Sequence, residues 1–247
     1  MSEISEVGYS KNLANWQQLI STVISFGSAY NPSREAIQIP QLQQVASNAL
    51  DATHVLNVAK AEYKNATAER AETFKLLTPL TSRTISAIKA SSTIGRQDNN
   101  AKALVRKIQG NKATKKSTPD PQAMNTEGSD MKEKSTSQMS FDNRIANFDE
   151  LIAYFESIPE YAPNEETLKP IGLRTFSNNL KTKHNRATIA TIALKSARST
   201  RNKIQEAPLT GLVDLSVDVK NYVKSVFGMS SYEFKQLSKL TFRKFSK

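Results

Sequence analysis

The residues of this chain that are both chemically functional and regularly spaced are its Lys and Arg residues. Nine Lys or Arg residues, and no Asp or Glu, lie within residues 167–205. The helical period places six of them on the two stripes that flank an apolar seam: Arg174, Lys181, Arg186, Lys195, Arg198 and Lys203. Such a surface could neutralise several phosphates and bind nucleic acid without sequence preference. A merely solvated helix face is the alternative, and the sequence leaves both open.

A second basic cluster lies in and just after a short predicted helix. Its candidate residues are Arg96, Lys102, Arg106, Lys107 and Lys112. Neither cluster is interleaved with aromatic residues, and the sequence has no helix-turn-helix or RNA-binding aromatic strand. The net charge of +11 is also uneven, with 8 basic and 7 acidic residues in 1–95 against 16 and 10 in 148–247. If the clusters bind nucleic acid, these patterns favour contact with phosphates over readout of bases.

Two arginines occupy matching positions on apolar seams, 131 residues apart. Arg70 and Arg201 both fall on a stripe that is otherwise apolar. A buried guanidinium needs carboxylate or carbonyl partners, because burying an unpaired charge is costly. We expect a structural role for the pair; a repeated anion-binding position is the functional alternative.

The chain has few residues that could support catalysis or metal binding. The chain has no Cys and only two His, His54 and His184, which the heptad register places away from the seam. Phosphate-binding glycine loops, HExxH, GxSxG and EF-hand patterns are missing. We therefore expect no enzymatic activity, no metal site and no cofactor, with both histidines in solvent.

Two stretches of the chain share one sequence pattern. This repeat defines the predicted helices that position the candidate basic residues. Residues 9–20 read YSKNLANWQQLI and residues 141–152 read FDNRIANFDELI. Further on, Pro-Leu-Thr recurs at 79–81 and 208–210. Ordered matches at nearly constant offset indicate an internal duplication.

Each repeat predicts four helices and no strand. The first helix carries apolar residues at helical spacing, such as Leu13, Trp16, Ile20 and Val23. A long second helix begins near Pro40 or Pro170 and follows a heptad pattern. The seam of the second copy comprises Leu173, Phe176, Leu180, Ala187, Ala190, Leu194, Ala197 and Ile204.

The remaining helices are bounded by prolines, glycines and capping residues. The third helix is expected after Pro79 or Pro208 and to end at Gly95 or Gly228. A fourth helix follows, capped by Asp98 over 99–109 and by a Ser-x-x-Glu box over 231–240. The fold class is all-α, with two related antiparallel helical bundles.

Residues 111–140 separate the two copies and contain no Ile, Leu, Val, Phe, Tyr or Trp. Such a segment buries too little apolar surface to offset its ordering entropy. We expect a flexible linker between a helical unit at 1–110 and another at 141–247.

The strings LANWQQLI, IANFDELI, SIPEYAPNE and APLTGLVDLSVDVKNYVKSVFG resemble an uncharacterised bacterial family of two-repeat helical proteins. That resemblance implies the two-unit architecture and carries no assigned activity. The favoured interpretation is a non-enzymatic interaction or structural module with a protein partner or a second copy. A protein that binds the nucleic-acid backbone through its basic helix faces is the alternative. Without a leader sequence or a long apolar stretch, we expect no membrane span and a cytoplasmic location.

Overall fold

The computed structural model describes residues 3–110 and 139–245, with side chains from Val7 onward. These residues form helices and two short 3₁₀ turns, with no strand among them. The helices are α1 (Glu3–Ser25), α2 (Ile39–Lys75), α3 (Leu77–Ala90), α4 (Gly95–Gln109), α5 (Phe141–Glu156), α6 (Pro170–Glu206), α7 (Leu212–Phe227) and α8 (Tyr232–Ser238). The all-α prediction is confirmed. Positions 111–138 of the predicted linker lie outside the described residues.

Helix boundaries follow most of the local signals in the sequence. Pro170 is the first residue of α6, where its missing N–H removes no helical hydrogen bond. Gly228 ends α7 with a φ of +88°. The cap of α8 is one residue later than the Ser-x-x-Glu box predicts: the Ser231 hydroxyl, not that of Ser230, accepts the Phe234 N–H at 3.1 Å.

Two boundary predictions near residue 95 are wrong. Gly95 is the first residue of α4, whereas α3 has already ended at Ala90. The side chain of Gln97 accepts the Ile94 N–H at 3.0 Å, so the helix begins ahead of the cap expected at Asp98. The Asp98 carboxylate accepts a bond from the Thr93 hydroxyl at 2.8 Å.

The chain divides into two compact units that cut across the predicted domains. The first unit comprises residues 1–64 and 189–247, and the second comprises residues 65–188. Helices α2 and α6, of 37 residues each, therefore contribute one part to each unit. At about 1.5 Å per residue each of these helices is roughly 55 Å long, so neither is confined to a single small core.

The core of the first unit joins α1 and the start of α2 to α7 and α8. Trp16 is fully buried there, and its indole N–H donates to the Leu42 carbonyl at 3.2 Å. The Tyr30 hydroxyl donates to the Ile37 carbonyl at 2.6 Å. The main apolar residues of this core are Trp16, Leu19, Val23, Leu42, Leu212, Leu215, Val219, Val223 and Leu237.

The core of the second unit joins α3 and α4 to α5 and the start of α6. Phe148 is fully buried, as Trp16 is in the first unit. The Tyr161 hydroxyl donates to the Leu168 carbonyl at 2.9 Å, and its ring stacks on Phe155 with centroids 4.1 Å apart. The main apolar residues here are Leu77, Ile88, Leu104, Ile108, Phe148, Leu151, Ile152, Phe155, Leu173 and Leu180.

Candidate anion-binding surface of helix α6

Helix α6 carries the long basic run predicted from the sequence, and the boundary between the compact units falls within it. Arg174, Lys181 and Arg186 belong to the second unit. Lys195, Arg198 and Lys203 belong to the first unit. The basic run is therefore divided between two structural contexts.

In the second unit, α5 supplies carboxylates to the first turns of the basic run. The Arg174 Nε donates to Glu156 Oε1 at 2.6 Å, and its Nη2 donates to Oε2 of the same carboxylate. The Lys181 ammonium lies 2.8 Å from Asp149 Oδ2. Hydrogen bonding from Arg174 lowers the pKa of Glu156, so this carboxylate stays ionised.

Glu69 of α2 pairs with the next two cations. The Lys183 ammonium and an Arg186 guanidinium nitrogen each lie 2.8 Å from Glu69 Oε2. The hydrogen bond from Lys183, together with the nearby charges of Lys183 and Arg186, lowers the pKa of Glu69. Predicted candidates Arg174, Lys181 and Arg186 thus already have carboxylate partners.

In the first unit, the three remaining candidates have no such partner. Among the described side chains, none forms a hydrogen bond or ion pair with Lys195, Arg198 or Lys203. These three residues line one cavity of about 530 Å³. The other residues lining it are Ser199, Asn202, Glu206 and Ala207.

The Arg198 side chain contains a buried donor that stays unsatisfied. Its Nε is out of contact with solvent and has no hydrogen-bond partner within the described part of the chain. A buried N–H without an acceptor costs on the order of 1–3 kcal/mol.

The two seam arginines stack on aromatic rings. The guanidinium carbon of Arg70 lies 4.1 Å from the centroid of the Phe141 ring, and that of Arg201 lies 3.9 Å from the Tyr9 ring. Arg201 is 2% exposed, and its Nε and Nη2 donate to Asn202 Oδ1 at 3.2 and 3.0 Å. Such cation–π contacts contribute about 0.5–2 kcal/mol, which favours the structural role.

The second predicted cluster lies on α4, in the second unit. Arg96 and Arg106 are exposed there. Lys102 approaches the Asn99 side chain at 3.4 Å, and Lys107 lies 3.9 Å from Glu150. No cavity described in this part of the chain is lined by these residues, and Lys112 lies outside the described residues.

His184 differs from its predicted solvated position. Its side chain is 15% exposed, and its Nε2 lies 2.9 Å from Asp142 Oδ1. The first turn of α5, which carries Phe141 and Asp142, covers the ring. The heptad register of α6 alone could not reveal this cover, because the residues that supply it are distant in sequence.

No protein-family model, curated protein or solved structure matches this chain. Within residues 3–110 and 139–245, no helix has the length and apolar character to cross a bilayer. The same residues contain no group of three or more His, Asp or Glu side chains arranged to hold a metal ion.

Proposed function

We propose that the protein is a non-enzymatic interaction module, built from a duplicated helical unit, that associates with a second copy of itself. The observation that carries this proposal is the exposure of four aliphatic side chains in the first unit, Val55 and Val58 of α2 and Ile189 and Ile192 of α6, which we call the aliphatic strip. These side chains are 56, 56, 68 and 62% exposed, respectively. Large exposed apolar patches mark association surfaces on otherwise polar proteins.

Helical spacing supports treating the strip as one surface. Val55 and Val58 are three residues apart on α2, as Ile189 and Ile192 are on α6, so each pair shares a helix face. Val55 also lines a cavity of about 510 Å³ with Ala193 and Ser196 of α6. An apolar surface of this kind is complementary to its own copy, and burying it would contribute about 25 cal/mol per Å².

Matching contacts support the duplication in this proposal. Tyr30 and Tyr161, 131 residues apart, each bond the carbonyl seven residues onward. Arg70 and Arg201, also 131 apart, each stack on the aromatic residue that begins the aligned strings, Phe141 or Tyr9. The same kind of partner at nearly the same offset, 131 or 132 residues, is what descent from one ancestral unit predicts. The resemblance to a two-repeat family remains a prediction from the sequence.

Light scattering at increasing protein concentration tests the self-association. We expect a wild-type dimer at about 100 μM and a monomer for Val58→Lys combined with Ile189→Lys, because charged groups resist burial. Ile171→Lys is the matched control, since Ile171 is a similarly exposed isoleucine on the same helix. A wild-type chain that stays monomeric at this concentration would overturn the proposal.

Phosphate-backbone binding is the second candidate, and one observation favours it. The cations of α6 in the first unit, Lys195, Arg198 and Lys203, have no carboxylate partner among the described side chains, so their charge is available to a ligand. A gel shift with single-stranded DNA at about 50 mM salt, lost by about 200 mM, is the expected result. Absence of a shift at the lower salt would remove this candidate.

A further inference from the structure

We propose that the cavity along the last turns of α6 is a binding site for clustered phosphate groups. Lys195, Arg198 and Lys203 supply its positive charge, and Ser199 and Asn202 supply neutral polar groups. This inference narrows the phosphate-binding candidate to one site and rests on it. It is independent of the proposed self-association.

The charge of the cavity is the first argument. Three cations line it against one carboxylate, Glu206, which is buried and accepts the Phe245 N–H at 2.5 Å. The cavity therefore keeps an excess of positive charge. In the second unit, by contrast, Arg174, Lys181 and Arg186 of the same helix each contact a carboxylate.

The end of the helix accounts for only one of the three cations. A positive side chain in the last turn interacts favourably with the helix dipole, and this effect is confined to that turn. Lys203 is in the last turn of α6. Lys195 and Arg198 lie two or more turns before Glu206, so the dipole gives no reason for their position.

Asn202 is oriented to act as a donor. Its Oδ1 accepts two bonds from the buried Arg201 guanidinium, at 3.2 and 3.0 Å. Its amide NH₂ therefore remains to donate at the cavity wall. Arg201 thus serves as a positioning residue.

The lining also defines the ligand. Along the helix axis Lys195 and Lys203 are about 12 Å apart, which suits several phosphates better than one. No aromatic residue is among the described residues that line the cavity, so base stacking does not contribute to recognition. The shared chemistry is a run of phosphates, and its source is either a free polyphosphate or a nucleic-acid backbone.

Calorimetry with inorganic tripolyphosphate and with a 12-nucleotide single-stranded DNA, at about 50 mM salt, tests the site. The site variant is Lys195→Gln, Arg198→Gln and Lys203→Gln together. The matched control, Arg174→Gln, Lys181→Gln and Arg186→Gln, removes the same charge from the paired part of the helix. We expect the site variant to lose at least about tenfold in tripolyphosphate affinity and the control to lose less than about threefold.

Parallel loss of DNA binding in the site variant alone would identify a nucleic-acid backbone as the source, and unchanged or absent DNA binding would identify free polyphosphate. No detectable tripolyphosphate binding, or equal losses in the two variants, would overturn the site.

Asn202→Asp gives a second test of the site if the triple variant unfolds. Its carboxylate can still accept from Arg201 but adds a negative charge to the wall, so affinity should fall while helicity is kept. Unchanged affinity in a folded Asn202→Asp protein would contradict the site. Light scattering of the same proteins reports self-association separately.

Discussion

The two compact units place different chemistry at positions that the predicted repeat makes equivalent. In the second unit, Glu69 of α2 binds Lys183 and Arg186 of α6. In the first unit, the residues at the matching offset of 131 are Thr200, Ala52 and Val55, which are uncharged and line one cavity together with Asp51. An ion-pair cluster in one unit thus corresponds to uncharged side chains at the matching positions of the other.

This difference shows that the neighbouring helices decide whether a basic side chain of α6 has a carboxylate partner. The basic residues of α6 look uniform in sequence, yet those in the second unit pair with carboxylates of α2 and α5. In the first unit, Lys195, Arg198 and Lys203 line a cavity instead. The two proposed surfaces, aliphatic and phosphate-binding, are therefore both in the first unit.

The largest effect is expected from separating the two halves of the chain. The core of each unit contains helices from 1–110 and from 141–247, so neither half can complete a core alone. We expect each half expressed alone to lack a cooperative thermal transition by circular dichroism, and the two halves mixed to regain one. A half that melts cooperatively as a monomer would show that our account of the cores is wrong.

Core truncation compares the two units directly. Trp16→Ala and Phe148→Ala each remove a fully buried ring, and each should cost about 3–5 kcal/mol in the free energy of unfolding. Trp16→Phe, which gives the first unit the ring type of the second, should cost less, because only the hydrogen bond to Leu42 and part of the ring are lost. Urea unfolding followed by circular dichroism measures all three. Equal costs for Trp16→Phe and Trp16→Ala would contradict this ranking.

Loss of one tyrosine hydroxyl should have a smaller effect. Burial, reinforced by the charge of Glu165, raises the pKa of Tyr161 to about 12. The folded state therefore holds this proton more tightly than the unfolded state, whose pKa is near 10. The contribution of the protonated Tyr161 hydroxyl to the free energy of unfolding is therefore complete below pH 10 and is lost as the pH rises toward 12.

Tyr161→Phe should cost about 1 kcal/mol at neutral pH and reduce the alkaline loss of stability. Thermal melts at pH 8 to 11.5 measure both effects. Tyr30→Phe is the matched change in the first unit, where burial also raises the tyrosine pKa. An alkaline transition that both substitutions leave unaltered would exclude these hydroxyls as its origin.

The smallest change in stability should come from transferring the ion pair between units. Val55→Arg with Thr200→Glu copies the Arg186–Glu69 pair into the first unit. Exposed pairs contribute about 0–1 kcal/mol, so the melting temperature should barely move. Self-association should weaken, because the aliphatic strip now carries charge; sedimentation equilibrium would show it. Unweakened association would place the dimer contact elsewhere.

Local features of the fold could be predicted from the sequence because they depend on neighbours along the helix. The stripe through Trp16, the end of α7 at Gly228, and the all-α class all belong to this kind. The start of α4 was mispredicted, since Gln97 rather than Asp98 caps the Ile94 N–H.

Features that depend on distant partners could not be predicted. Arg186 and Glu69 are 117 residues apart, and the cover over His184 comes from α5. The six basic candidates on α6 were found by type and spacing, but periodicity carries no information on which of them meet a carboxylate. The division of both long helices between two cores was unforeseen for the same reason.

The salt dependence of single-stranded DNA binding tests the central claim, that the available charge lies in the first-unit part of α6. For single strands the slope of log affinity against log salt changes by about 0.7 per phosphate contact. Removing Lys195, Arg198 and Lys203 should therefore reduce the slope by about 2, whereas removing Arg174, Lys181 and Arg186 should leave it nearly unchanged. Equal reductions in the two variants would contradict the account.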